Sequence, residues 1–152
     1  MRLDEVLSER HVHFERLRHR PTFTANRMAQ TLHVHGKEVA KAVLLRAGFG
    51  YVLAVLPATH QVDLCLVREE LGEEWVELAS EREVEQLFAD CEPGAHPPFG
   101  SLYNIQTLMD ESLAEDDAIV FEGQNHEEAY RIAFRDYEAL EHPMTGRFAH
   151  HV

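Results

Sequence analysis

Two apolar runs, residues 38–47 (EVAKAVLLRA) and 49–57 (FGYVLAVLP), stand almost back to back with Gly48 and Gly50 at their junction. Both have strand length and are rich in β-branched and aliphatic residues, and the glycines supply the turn. Neither run alternates polar with apolar, so both faces of the pair have to be covered by other elements. The rest of the chain mixes short helical and strand patterns. Leu3, Val6 and Leu7 have helical spacing, and Val12, Phe14 and Arg16 alternate as in a strand. Thr24 is placed to cap a helix carrying Ala25, Met28, Ala29 and Leu32, and Asp63 to cap one carrying Leu64, Val67 and Leu71 that stops at Gly72. Ser80-Glu81-Arg82-Glu83 reads as a capping box ahead of Val84, Leu87 and Phe88. Strands are expected over 75–78, 104–109, 118–122 and 129–133, a helix over 135–141, and a loosely attached tail over 142–152. Without a regular βαβ alternation the pattern predicts an α+β fold on a mixed, curved sheet.

The length of 152 residues suits one domain spanning 1–152. No apolar run approaches the ~20 residues of a membrane span, and no apolar segment follows the opening residues, so the expectation is a cytoplasmic chain with no membrane contact. Cys65 and Cys91 are too few for a disulfide framework and lie outside any nucleophile motif; Cys65 is expected to pack on its helix. The net charge of −13 is unevenly spread: residues 1–50 carry nine Lys and Arg against five Asp and Glu, and the remainder five against twenty-two. Indiscriminate nucleic-acid binding is therefore disfavoured, while Arg10, Arg16, Arg18, Arg20, Arg27, Lys37, Lys41 and Arg46 allow one positive face.

Lys41 is the first candidate for chemistry. It interrupts an apolar strand, and a buried ammonium is costly unless an anion or carbonyl oxygen meets it. The second is Gly94-Ala95-His96-Pro97-Pro98-Phe99-Gly100, where two prolines stiffen the backbone and two glycines free it. The amides of Ala95, His96, Phe99 and Gly100 are then candidates to face a carbonyl or oxyanion. Because Gly94 and Gly100 both lie in a loop, bulk at either is expected to harm function more than folding. His11-Val12-His13 and His33-Val34-His35 raise a metal site, with a metal-dependent hydrolase using His33 and His35 as the weakest reading. No third ligand at a recognisable spacing accompanies them, so no metal is expected and His150 and His151 have no role.

The segment Gly36-Lys37-Glu38-Val39-Ala40-Lys41-Ala42-Val43-Leu44-Leu45, then Leu56-Pro57-Ala58, Leu78-Ala79-Ser80-Glu81, the 90–100 stretch, Asp110-Glu111-Ser112-Leu113 and Phe121-Glu122-Gly123 resemble, in order, the YbaK/EbsC-type aminoacyl-tRNA deacylases. This is the prolyl-tRNA synthetase-associated editing domain, and the resemblance runs over about 19–140. It implies a YbaK-like partial barrel with surrounding helices. It also implies hydrolysis of the ester of mischarged tRNA at the acceptor 3′ end, without a cofactor and with an aminoacyl-tRNA synthetase as a possible partner. It gives Lys41, Gly94 and Gly100 the catalytic positions, and it makes Ala95, His96, Pro97, Pro98, Phe99, Asp110 and His126 substrate-binding. The alternative is a non-catalytic module of the same fold that binds an aminoacyl-nucleotide or a synthetase. Ala42 stands where relatives often carry a small hydroxyl residue, and Leu102-Tyr103-Asn104 replaces a glycine-bearing stretch.

Overall fold

The computed structural model describes residues 1–21, 24–32 and 38–151. The two apolar runs form an antiparallel hairpin, β2 (Ala40–Ala47) and β3 (Gly50–Pro57), closed by a two-residue turn in register Ala47↔Gly50. It is the middle of a five-stranded mixed sheet in the order β5-β2-β3-β6-β9, with β5 (Val76–Leu78), β6 (Gln106–Asp110) and β9 (Met144–Gly146); β6 runs parallel to both neighbours. Both faces are covered, as the unbroken apolar pattern requires. Leu44, Leu53, Val55 and Met109 pack on one side with Phe99, Phe121 and Tyr137, while Leu45, Val52, Ala54, Leu56 and Leu108 pack on the other with Val67 and Phe148.

A second, antiparallel sheet holds β1 (Phe14–Arg18), β8 (Glu128–Ala133) and β7 (Ala118–Glu122), and a third pairs β4 (His60–Val62) with β10 (Ala149–His151). The class is α+β on mixed sheets that do not close into one barrel. Among the described residues the two larger sheets are joined by one parallel bridge, Val39–Val120. Around them lie α1 (Leu3–Glu9), α2 (Ala25–Leu32), α3 (Leu64–Leu71), α4 (Glu81–Leu87) and α5 (Phe134–Glu141).

The local signals act as expected. The Arg27 amide donates to Thr24 Oγ1 at 3.1 Å, and Asp63 accepts from the Cys65 and Leu66 amides. Gly72 ends α3 at φ 67°, and Ser80 and Glu83 complete the capping box. Asn104 takes φ 59° where a glycine would be the usual choice, closing the 3-10 turn Gly100–Tyr103. No helix of the described residues is long and apolar enough to cross a membrane.

The tail corrects the sequence reading. Residues 142–152 are expected to hang loose, yet β9 and β10 are strands and Phe148 is fully buried. Cys65 is a second correction. Its thiol is exposed and accepts from Arg68 at 3.0 Å instead of packing. The basic cluster is partly neutralised: Arg16 pairs with Asp4 at 2.6 Å, Arg18 with Glu128 at 3.8 Å and Arg46 with Glu77 at 2.7 Å. Arg10, Arg20 and Arg27 remain exposed.

Candidate functional site

Beyond the Val39–Val120 bridge, β2 and β7 part. Side chains on a strand alternate, so Lys41 shares a face with Val39, and Glu122 shares one with Val120. Val39 and Val120 pack together with Met28 and Ala29 of α2. The space left between the diverging strands, under the start of α2, is a cavity of about 330 Å³ lined by Thr24, Asn26, Lys41, Ala58, Glu122 and, from the 94–100 loop, Gly94 and His96. Lys41 is half-buried there, and burial pulls its ammonium below the usual lysine range. Among the described residues nothing pairs with that ammonium.

The loop behaves differently at its two ends. Gly94 is exposed at φ 81°, a backbone conformation that suits glycine. His96 stacks on Phe88 with ring centroids 4.5 Å apart and planes at 14°. Burial depresses its imidazole to about 4, so the ring is neutral at pH 7. It stands between the Lys41 cavity and a second, apolar cavity of about 460 Å³ lined by Val43, Leu44, Leu78, Ala79 and Val84. Ala42, Gly94 and His96 belong to both hollows. The methyl of Ala42, where a hydroxyl residue was the family expectation, thus sits at their junction.

From Pro97 onward the loop is interior. Pro97, Pro98, Phe99 and Gly100 are buried, and Tyr137 donates its hydroxyl to the Pro98 carbonyl at 2.7 Å. The Ala95 amide is spent on the Glu92 carbonyl at 2.9 Å and the Gly100 amide on Thr107 Oγ1 at 2.9 Å. Of the four amides expected to be free, those of His96 and Phe99 have no partner among the described residues. The expected set of four free amides is therefore halved. Gly100 lies within a closed network: Thr107 donates to Glu141 at 2.5 Å, and Ser101 reaches the same carboxylate through its amide at 3.0 Å and its hydroxyl at 2.5 Å. A Cβ at Gly100 would stand 2.5 Å from Thr107 Oγ1 and 2.8 Å from the Ile105 carbonyl oxygen. Packing leaves no room for a side chain at Gly100, so bulk there is expected to cost folding as well as function.

His126 lies under the loop's open end. A carbonyl can only accept, so its Nε2 carries the hydrogen donated to Pro93 O at 2.7 Å, which turns Nδ1 toward Glu122 Oε1 at 3.4 Å. A Cβ on Gly94 would rest 3.7 Å from the ring. Burial pushes the Glu122 carboxyl up to about 7, with the pull of His126 acting against it. The Pro93 carbonyl and Glu122 together carry His126 above its ordinary value despite its burial. His126 thus holds the loop and Glu122 in place from behind the cavity. Glu122 itself had no role assigned from sequence. The available signal was a carboxylate closing the apolar strand Ile119–Phe121, followed four residues later by a histidine.

Asp110, expected near the substrate, is committed elsewhere. Its Oδ1 accepts from the amides of Phe148 at 2.9 Å and Ala149 at 3.1 Å, and its Oδ2 from the amide and hydroxyl of Ser112. It caps the 3-10 turn Glu111–Glu115 and fastens the tail. Cys91 is half-buried beside Tyr103 and Asp90, and burial pushes its thiol up to about 12, the wrong direction for a nucleophile. Among the described residues no group of three or more His, Cys, Asp or Glu side chains is arranged to hold a metal. His33 and His35, and the basic Lys37, lie outside the described residues.

The chain resembles several solved structures over nearly its whole length. One, described as hypothetical protein APE2540, superposes with a TM-score of 0.88 at 21% identity, covering 97% of this chain and 99% of that one. Another, described as "a putative trans-editing enzyme for prolyl tRNA synthetase", gives 0.84 at 19% identity, covering 97% and 94%. At such identities the likeness speaks for the fold. A search of curated proteins finds no match. The model of the aminoacyl-tRNA editing domain matches residues 19–140, spanning the Lys41 strand, the 94–100 loop and Glu122. On that match the chain belongs to the aminoacyl-tRNA editing domain family.

Proposed function

We propose that the protein is a trans-editing deacylase, acting as one domain in the cytoplasm to hydrolyse the ester that joins a wrong amino acid to the 3′ end of tRNA. The observation that carries this reading is the shared cavity: Lys41, near the start of β2 in a buried hairpin, and the open end of the proline-stiffened loop line the same hollow. In the reaction, water adds to the ester carbonyl carbon, the bond to the ribose oxygen breaks, and that oxygen leaves with a proton as the free hydroxyl. Lys41 stabilises the charge growing on the carbonyl oxygen, helped by the unpaired His96 amide at the cavity edge. An aminoacyl ester is already activated, so orientation and charge stabilisation suffice without a nucleophilic side chain. Walls of fixed volume around the aminoacyl group supply the second sieve of editing. Exposed Arg10, Arg20 and Arg27 suit a few acceptor-end phosphates, and a synthetase partner would add to that weak hold.

The test is amino-acid release from a panel of mischarged tRNAs. Wild type is expected to deacylate at least one member, and Lys41→Ala to lose about 100-fold or more in kcat/KM with its thermal midpoint unchanged. Release from no member of the panel would remove the enzyme reading. Tight binding of an uncleaved member would turn it into the binding-module reading.

A further inference from the structure

The position of Glu122 points to what the cavity recognises on the aminoacyl group. Val39 and Val120 are paired in parallel, so Lys41 and Glu122 follow them at the same register, two residues further along each strand. Both line the same cavity, each from its own strand. Among the described residues the two form no ion pair with each other, and both are open to the same hollow. Thr24, which caps the covering helix, and Asn26 within it are its polar groups at this hollow and are neutral. Glu122 is therefore the one acidic group among the described residues lining it. Its outer side is occupied by His126, which the Pro93 carbonyl holds in a fixed orientation, so the carboxylate is aimed rather than free to swing.

An aminoacyl ester matches this pair of charges. Its carbonyl oxygen gains negative charge during hydrolysis, and its protonated α-amine is attached one carbon away from the carbonyl carbon. With the carbonyl directed to Lys41, the α-ammonium faces the Glu122 wall. We propose that Glu122 receives the free α-ammonium, so that the site accepts esters of unblocked amino acids and rejects N-acylated ones such as formylaminoacyl- or peptidyl-tRNA. This rests on the deacylase reading above. Acylation of the amine removes the charge and leaves a buried carboxylate facing an amide, the kind of mismatch that discriminates strongly in a closed polar site. His126 acts through Glu122 and is a positioning residue.

The experiment compares each ester cleaved in the mischarged-tRNA panel with its N-acetyl derivative. Wild type is expected to cleave the N-acetyl ester about 30-fold less efficiently or worse, the scale of one charge-assisted hydrogen bond. Glu122→Gln is expected to raise KM for the unblocked ester about 30-fold, with kcat within about threefold, and to erase the discrimination. Equal cleavage of both esters by wild type overturns the assignment while leaving the deacylase reading intact. So does a Glu122→Gln variant that loses kcat at unchanged KM, since that places the carboxylate in the chemical step. If no unblocked ester is cleaved, the deacylase reading fails and this inference fails with it.

Discussion

The open and anchored ends of the 94–100 loop each carry a glycine and do opposite work. At the anchored end, Gly100, Thr107, Ser101 and Glu141 satisfy one another, and Asp110 beyond them accepts four hydrogen bonds. At the open end, Lys41 has no partner among the described residues, and the His96 amide has none either. Glu122 bonds to His126 and otherwise faces a hollow. Polar groups that close on each other hold the fold, and those left with spare valences toward a cavity are available to a ligand.

The sharpest test of that contrast is the glycine pair. Gly100→Val drives a side chain into Thr107 and the Ile105 carbonyl and is expected to cost about 4 kcal/mol in denaturant unfolding. Gly94→Ala meets nothing closer than 3.7 Å, so it is expected to cost only about 1 kcal/mol for the φ of 81°, while deacylation falls by more than that loss explains. Equal stability losses at the two positions would break the comparison. Next in size, Asp110→Ala strands the buried Phe148 amide and is expected to cost about 3 kcal/mol. The tail should then become sensitive to protease, with kcat/KM of the folded enzyme within about threefold of wild type. A large drop in kcat/KM at full occupancy of the fold would return Asp110 to the substrate site.

A third test uses pH. His96 has a folded pKa of about 4, below its ordinary 6.5, so the unfolded chain binds the extra proton between those values. Stability from this group is present above 6.5 and is lost on acidification toward 4. From pH 7 to pH 5 the loss is about 2 kcal/mol. His96→Asn should lose correspondingly less stability than wild type over that interval. The opposite trends of Glu122 and His126 are common to both proteins and cancel in the difference. Parallel pH profiles would mean the ring is not kept neutral by its surroundings.

Much of this was legible beforehand because it depends on local chemistry. The β2–β3 hairpin, the Thr24, Asp63 and Ser80 caps, and the α+β class follow from glycines, capping oxygens and periodicity, and Lys41 stood out as a charge in an apolar run. The errors came from long-range pairing. Nothing local in Met144–Gly146 or Ala149–His151 announces a strand; those residues extend because β6 and β4 offer free edges and Asp110 offers a carboxylate. The packing roles of Asp110 and Gly100 likewise show only once their partners, Phe148 and Thr107, 38 and 7 residues away, are in place. Glu122 has no sequence signal for the cavity because it meets Lys41 there across 81 residues, through the Val39–Val120 bridge.

That solitary valine bridge also bears on how such a chain can diversify. A hollow opened by the parting of two backbones is a property of the chain's path, not of the side chains that happen to border it. Residues around the rim can be exchanged one at a time without collapsing the chamber, so new clients can be tried while the scaffold stays the same.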